Sequence, residues 1–268
     1  MNFIEQLVSG YPSVDVTPQD FINHLTPGSN GFGMALLSVI LAVIFGLLVY
    51  IYPIILNETE HAGPYPLWMH TFYCAADFMG IWVFLSVWLK YDHFYIFGLL
   101  SIGEAIWVCM EIYSLQRAMT YEKYINWKKG TPKSVMLRDI IFQVVIFFVG
   151  LNLLRVELHD STMWKFWIFT QVLITVAPGL ILEKRGHRLG NCRQLNICFI
   201  CVALVSFNPW CNMWKAIAPE YFSFSANPWY YIVGAVCLFF AIRGYFIYEK
   251  LPEKDEIIPA TGKKPLLK

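Results

Sequence analysis

The chain contains 268 residues, of which 57% are hydrophobic and only 15% are charged. Ordinary soluble domains carry about 25% charged residues, so this chain has too little charge to cover a soluble surface and is predicted to be a multi-pass membrane protein. Its net charge of +1 excludes a nucleic-acid-binding protein, because such proteins bind phosphates through a strongly basic face.

The first segment, residues 1–31, is expected to lie at the membrane surface as an interfacial segment. It has no basic region at its start, so it does not resemble a signal peptide, and Asp15 and Asp20 are incompatible with a membrane span. Short amphipathic helices lying on the membrane are the expected structure. The apolar residues that would form them are Phe3, Leu7, Phe21, Ile22 and Leu25.

The membrane domain is predicted to be an all-α bundle of seven transmembrane helices over residues 32–250. A helix needs about 20 apolar residues to cross the bilayer core, and no internal repeat was found. The tail 251–268 is polar and contains three prolines, which favours disorder. The seven predicted spans are 33–56, 67–89, 94–116, 137–155, 163–182, 194–212 and 228–248.

The distribution of Lys and Arg predicts an external N-terminus and a cytoplasmic C-terminus, because cytoplasmic loops carry an excess of these residues. The connection between spans 3 and 4, the connection between spans 5 and 6, and the C-terminal tail hold most of them. The first loop, 57–66, is an exception, since it should be cytoplasmic but has only acidic charges. The opposite side carries only Lys90, Arg155, Lys165 and Lys215.

Two acids are predicted at the bilayer midplane. Asp77 lies ten residues into span 2, which corresponds to about 15 Å of helix. Glu104 lies at the same depth in span 3, which runs the opposite way. Acids at this depth are costly and are functional candidates by default. Two carboxyl groups at one level disfavour joint ionisation, so one is expected to stay protonated at neutral pH and to serve as a general acid. The alternative is a purely structural role, in which Asp77 forms a hydrogen bond with His70 on the same helix face.

A second pair is predicted nearer the cytoplasmic end. Glu111 lies seven residues after Glu104 on the same helix face, and Arg243 in span 7 has a comparable depth. We expect a structural ion pair between Glu111 and Arg243, with a snorkelling Arg243 as the alternative.

Neutral polar residues within the spans, such as Gln143, Asn196 and Asn208, are expected mainly to hydrogen-bond between helices, with one or two such residues facing a ligand. Aromatic residues make up 17% of the chain, more than two interfacial belts require, so some rings should line the interior. The candidate ligand-binding residues are His70, Trp107, Glu111, Asn152, Gln171 and Arg243.

Several chemistries lack their required residues. Span 7 contains no Lys, so a retinal Schiff base has no attachment point. Cys198 and Cys201 form a CxxC motif, but no second Cys pair or nearby His completes a metal site. No nucleotide-binding, zinc-protease or α/β-hydrolase motif occurs. The sequence therefore calls for no metal and no cofactor, and it leaves acid chemistry or binding in an aromatic cavity.

The second half of the chain resembles the small seven-helix membrane terpene cyclases of fungal meroterpenoid and indole-diterpene pathways, the paxilline-type family. The resemblance is one of order, spacing and aromatic character, and it extends loosely over all seven spans. The segments that carry it are Thr170–Leu182, the basic turn Glu183–Asn191, Pro209–Trp214, Ala218–Phe224, Asn227-Pro228-Trp229 and Tyr245–Tyr248.

The resemblance implies protonation of an epoxide or alkene of a prenylated, lipid-like substrate by an intramembrane carboxyl group. The family's Trp-Glu pair in span 2 corresponds here to Ala76-Asp77, and its second acid, in the last span, corresponds to Arg243. Asp77 would then be the proton donor and Glu104 its partner. The product class would be that of a lyase or isomerase, in the endoplasmic reticulum of a eukaryote or the inner membrane of a bacterium. The rival hypothesis is a carrier or lipid-binding protein in which the same acids bind a proton or a cationic ligand.

Overall fold

The computed structural model describes residues 12 and 14–267. Within these residues the protein is all-helical, with one isolated β-bridge and no strand, which confirms the predicted class. The helices are α1 (Pro18–Leu25), α2 (Phe32–Glu60), α3 (Leu67–Lys90), α4 (Tyr95–Thr120), α5 (Lys123–Asn126), α6 (Lys133–Glu157), α7 (Phe166–Arg185), α8 (Arg193–Phe207), α9 (Met213–Ile217), α10 (Pro219–Phe222) and α11 (Pro228–Lys250).

Six of these helices, α2, α3, α4, α6, α7 and α11, are long and apolar enough to cross a membrane. They coincide within a few residues with six of the predicted spans, so the chain is a multi-pass membrane protein. The remaining predicted span, 194–212, is interrupted. Its helix α8 has 15 residues, or about 22 Å of length at 1.5 Å per residue, and it ends before Pro209.

The end of α8 is caused by a turn at Asn208. The Asn208 Oδ1 accepts hydrogen bonds from the backbone N–H groups of Trp210 and Cys211, at 3.0 and 2.6 Å. Pro209 has no N–H group with which to continue the helix. The short helix α9 then follows inside the protein, with Trp214 completely buried.

The long helices form two groups. In the first group, α3 packs against α4 and α6, and in the second, α11 packs against α7 and α8. Helix α2 joins the groups through α8 and, less extensively, α4. Two glycines allow the closest approach in the second group, because a Cβ atom on Gly179 would lie 3.1 Å from the Cα of Gly244. Close contacts through small residues are typical of helix pairs in membranes.

The bundle has two ends, which we name after the terminus that each carries. The N-terminal end consists of α1 and the connections 91–94, 158–165 and 208–227, and the C-terminal end consists of the connections 61–66, 121–132, 186–192 and the tail. At the N-terminal end, Phe21 and Leu25 of α1 are fully buried against the bundle. The amphipathic face predicted there therefore covers protein, whereas Phe3 and Leu7 lie outside the described residues.

The tail 251–267, for which the sequence predicts disorder, packs across the C-terminal end. The Lys254 Nζ lies 2.5 Å from the Glu60 Oε1 of α2, and both side chains are almost completely buried. Ile258 is only 1% exposed, and the Thr261 hydroxyl donates to the Thr59 carbonyl. One buried ion pair and one buried apolar residue thus hold a segment whose composition alone favours a solvated chain.

Candidate functional site

A cavity lies between α2, α3, α4, α7 and α8, and α1 and α9 close it at the N-terminal end. Its volume is about 110 Å³, whereas one water molecule needs only about 10–15 Å³ by the same measure. The cavity can therefore hold a ring-sized apolar group, and it is open at the side, where the lining residue Val43 is 37% exposed.

Helical spacing explains which side chains reach this cavity. On α4, Glu104, Trp107 and Glu111 follow each other at intervals of three and four residues, and all three line the cavity. Residues at this spacing share one face of a helix. Gly46 and Tyr50 on α2 do the same. The corresponding face of α3 supplies Tyr73 and Asp77, which are four residues apart.

The two midplane acids meet at the cavity wall. Glu104 is 1% exposed and Asp77 7% exposed, and the two carboxyl groups interact directly. The carboxyl group of Glu104 packs on α3 at Gly80, where an added Cβ atom would lie 2.8 Å from the Glu104 Cδ. Neither oxygen of Glu104 has a conventional hydrogen-bond partner among the described residues. Two carboxyl groups in so apolar a site cannot both be charged, so at least one holds a proton.

Asp77 differs from Glu104 in having a donor. The Tyr50 hydroxyl donates to the Asp77 Oδ2 at 3.3 Å, and it also lies within interaction range of Glu111. A donated hydrogen bond stabilises the charged form of a carboxyl group. The contacts therefore favour a charged Asp77 beside a protonated Glu104.

Glu111 belongs to a separate buried pair. Its Oε2 lies 2.6 Å from the His70 Nδ1, and both side chains are almost completely buried. The imidazole and the carboxyl group share one proton across this contact, either as an ion pair or as a neutral pair. Together with Tyr50, this pair continues the line of polar groups from Asp77 toward the C-terminal end.

The predicted ion pair between Glu111 and Arg243 is wrong. Arg243 lies 2.5 Å from Glu183 of α7, and its side chain is 35% exposed. The error arises because depth along the membrane does not determine which helices are neighbours. Helix α11 packs against α7 and α8, whereas α4 packs against α3, so the two residues face different partners.

Some of the other candidate ligand-binding residues lie at the cavity and others do not. Trp107 and Gln171 line the cavity, and His70 lies behind Glu111. Asn152 and Arg243 do not line it. The Asn152 side chain donates to the carbonyl of Phe148 in the preceding turn of α6. Its hydrogen bond is therefore made within its own helix and not in the cavity.

Aromatic rings form much of the wall. Trp164 and Trp167 lie at the N-terminal end beside Phe21. The Phe21 ring packs edge to face on Trp164, with 4.8 Å between the ring centroids. The faces of aromatic rings attract cations, by about 0.5–2 kcal/mol depending on desolvation. A cationic group or intermediate in this cavity would therefore be stabilised by the wall itself.

The loop that holds Trp164 depends on Asp160. The Asp160 Oδ2 accepts the Phe166 N–H at the start of α7 at 2.7 Å. Burial raises the pKa of Asp160 above its usual range, although hydrogen bonds from the backbone and the charge of Lys165 oppose this shift. This carboxyl group therefore fixes the first turn of α7 and the positions of the Trp164 and Trp167 rings beside it.

Sequence reasoning missed Tyr50 and Trp164. Tyr50 stands in an apolar run, and nothing in its spacing distinguishes it from the other tyrosines of the chain. Trp164 was indistinguishable from an interfacial Trp. Only the packing of α2 on α8 and α4 and of the 158–165 loop on α1 brings these groups to the cavity.

Comparison with known proteins identified no relative. No family model, no curated protein and no solved structure matches this chain. Within the described residues, no group of three or more His, Cys, Asp or Glu side chains is arranged to hold a metal ion. The function must therefore be inferred from the cavity and its groups.

Proposed function

We propose that this protein is a membrane enzyme that uses an intramembrane carboxyl pair for acid catalysis on a hydrophobic, isoprenoid-like molecule. The observation that supports this most directly is Glu104, a carboxyl group without a conventional hydrogen-bond partner, 1% exposed, at an apolar cavity and beside a second acid. A buried polar group without a partner costs stability. Such a cost is typical of sites that serve function.

In this proposal Glu104 is the proton donor and Asp77 the charged partner, which reverses the roles expected from the resemblance to paxilline-type cyclases. The protonated carboxyl group of Glu104 transfers its proton to an epoxide oxygen or an alkene carbon, and a carbocation forms. The aromatic wall stabilises the cation. A carboxylate of the pair then accepts a proton from a carbon next to the final cationic centre. The catalyst is restored, and the product is an isomer of the substrate.

The proposed topology has seven crossings, an external N-terminus and a cytoplasmic C-terminus. Although α8 is short, it packs between α2 and α11. After the exposed turn at Pro209 and Trp210, the chain re-enters the protein at the buried residues Asn212, Met213 and Trp214, so α8 and α9 together complete the seventh crossing in this proposal. Reporter fusions at Lys268 and in the connection 121–132 should both report the cytoplasm; an external signal from either would reject this topology.

The decisive experiment for the chemistry compares Glu104→Gln with Asp77→Asn in purified protein. Each amide keeps the shape of its acid but cannot supply an acidic proton. We expect each variant to fold and to lose about 10²–10⁴-fold in turnover of epoxidised farnesyl or geranylgeranyl conjugates. Normal turnover by Glu104→Gln would reject it as the donor.

Infrared spectroscopy tests the same assignment without any substrate. The protonated carboxyl group has a C=O stretching band that a carboxylate lacks. At neutral pH this band should disappear in Glu104→Gln and persist in Asp77→Asn. The reverse result would return the donor role to Asp77.

A proton-coupled carrier is the second candidate, favoured by the line of polar groups that extends from Asp77 through Tyr50 to the His70–Glu111 pair. Such a line can connect the cavity with the C-terminal end. Lipids extracted with the purified protein distinguish the candidates. A bound isoprenoid favours the enzyme, whereas a small polar solute favours the carrier.

A further inference from the structure

The cavity opens sideways between α2 and α4. Val43 of α2 lines the cavity and is 37% exposed, and Gly46, Leu100 and Trp107 line it while partly exposed. Helices α2 and α4 contact each other far less extensively than α3 and α4 do. These helices belong to the membrane-spanning set, so the opening faces the lipid and not the aqueous phase.

Trp107 lies at this opening. A Cβ atom on Gly46 would lie 3.2 Å from the Trp107 Cζ2, so the indole rests directly on α2 where that helix has no side chain. The ring also stacks on Tyr50, with ring centroids 6.4 Å apart. The indole position is therefore determined by α2 although the residue belongs to α4.

The Trp107 N–H group lacks an acceptor in the part of the chain that the structure describes. Its Nε1 is buried and has no hydrogen-bond partner there. An indole N–H that is buried normally finds a partner. Trp107 is one turn from Glu104 on the same face of α4, about 4.5 Å along the helix axis. Two polar groups without a conventional hydrogen-bond partner among the described residues thus stand together at the wall of one cavity.

We propose that Trp107 and Glu104 together bind one oxygen atom of an uncharged lipid-soluble ligand, which reaches the cavity from the bilayer between α2 and α4. This inference rests on the proposed function and specifies its substrate class. The ligand has an apolar body and a hydrogen-bond-accepting oxygen, such as a carbonyl, ether or epoxide oxygen. That oxygen accepts hydrogen bonds from the indole N–H and from the protonated carboxyl group of Glu104.

The charge of the lining excludes an anionic ligand. The described residues that line the cavity include no Lys and no Arg, so a ligand carboxylate or phosphate would have no counter-charge. Burying an unpaired charge is strongly unfavourable. An access route through lipid excludes such ligands for the same reason.

Two probes that differ only in the oxygen test the inference. Tetrahydrogeranylacetone is a branched ketone, and its partner is the saturated hydrocarbon of the same carbon skeleton. Each is added to the protein in nanodiscs, and affinity is obtained from the rise of the thermal unfolding midpoint with ligand concentration. Wild type should bind the ketone about five- to tenfold more tightly than the hydrocarbon.

Trp107→Phe removes the N–H group and keeps an aromatic ring. It should lose most of the ketone preference and keep its affinity for the hydrocarbon. Trp82→Phe, at a lipid-exposed position on α3, is the matched control and should behave as wild type. If Trp107→Phe fails to fold, Gly46→Ala decides, because its Cβ atom would lie 3.2 Å from the Trp107 Cζ2 and shift the indole by a few tenths of an ångström, which should also lower the preference.

The outcomes separate this inference from the proposed function. An unchanged ketone preference in Trp107→Phe, or in Gly46→Ala where that variant decides, overturns the role of the indole while leaving acid catalysis intact. Equal binding of both probes by wild type overturns the oxygen site, but it retains a hydrophobic cavity. If wild type binds neither probe, both this inference and the proposed hydrophobic substrate fail.

Discussion

Two glutamates of this protein are almost equally buried and have opposite surroundings. Glu60, 0% exposed, lies at the C-terminal end, where its carboxylate contacts Lys254 at 2.5 Å and accepts the Gly190 N–H at 2.8 Å. Glu104, 1% exposed, faces a cavity and has no conventional hydrogen-bond partner among residues 12 and 14–267. Burial alone therefore does not identify a functional acid.

The difference lies in how each carboxyl group is compensated. Glu60 is paired with a cation and joins three segments of the chain, as expected of a structural ion pair. Glu104 has a second acid as its neighbour, and no salt bridge within the described residues compensates its burial. A group of this second kind remains available for a ligand, and the following predictions test that distinction.

The largest effect is expected at Glu60. Glu60→Gln leaves the buried ammonium group of Lys254 without a counter-charge, so the unfolding free energy should fall by about 3–5 kcal/mol. Glu104→Gln replaces a neutral acid by an amide of the same shape and should change it by less than about 1 kcal/mol. SDS titration in mixed micelles measures both. Equal losses in the two variants would remove the proposed contrast.

The double variant Glu60→Gln with Lys254→Met sharpens the first result. Methionine keeps much of the length of lysine but carries no charge, and the glutamine still offers an acceptor to Gly190. Removing both charges of a buried pair is often neutral. We therefore expect the double variant to recover more than half of the stability lost by Glu60→Gln, in the same titration. No recovery would mean that the tail is held by contacts other than this pair.

A smaller effect is expected at Gly80, where Glu104 packs on α3. Gly80→Ala places a methyl group 2.8 Å from the Glu104 carboxyl carbon, so the Glu104 side chain must move. Such overpacking costs about 1–3 kcal/mol, and the infrared band assigned to Glu104 should shift. Gly103→Ala on α4 is the control, since an added Cβ atom there meets nothing within 4 Å. It should be neutral or stabilising.

The smallest effect concerns the loop that positions Trp164. Because the pKa of Asp160 is raised by burial, the folded state binds this proton more tightly than the unfolded state, in which the pKa of Asp is about 3.9. This contribution to stability is therefore present at low pH and is lost as the pH rises through the folded pKa. Asp160→Asn should abolish this pH dependence and raise the unfolding midpoint at neutral pH above that of wild type.

The comparison uses unfolding midpoints of wild type and variant between pH 4 and pH 7. Asp92→Asn, at an exposed turn on the same end of the bundle, serves as the control for loss of one negative charge. If both variants show the same pH dependence as wild type, Asp160 does not contribute to it.

The sequence alone determined the membrane class, because a run of about 20 apolar residues has few stable alternatives to a spanning helix. It also determined that Asp77 and Glu104 lie at the same depth in the bilayer. The two spans are consecutive and antiparallel, so the depth of each residue follows from its distance in residues from the end of its span. It did not determine the length of α8, where the Asn208 side chain and Pro209 stop the helix, nor the packed tail, where one buried pair outweighs a polar composition.

Only the tertiary structure determined which side chains contact each other. Depth along the bilayer follows from counting residues, but lateral position depends on which helix faces pack together, and side-chain packing between distant segments determines that. For this reason the sequence predicts Arg243 as the partner of Glu111, whereas the structure pairs Glu111 with His70. For the same reason Tyr50 and Gly46 acquired roles that their own sequence positions do not indicate, because their significance comes from Asp77 and Trp107 on two other helices.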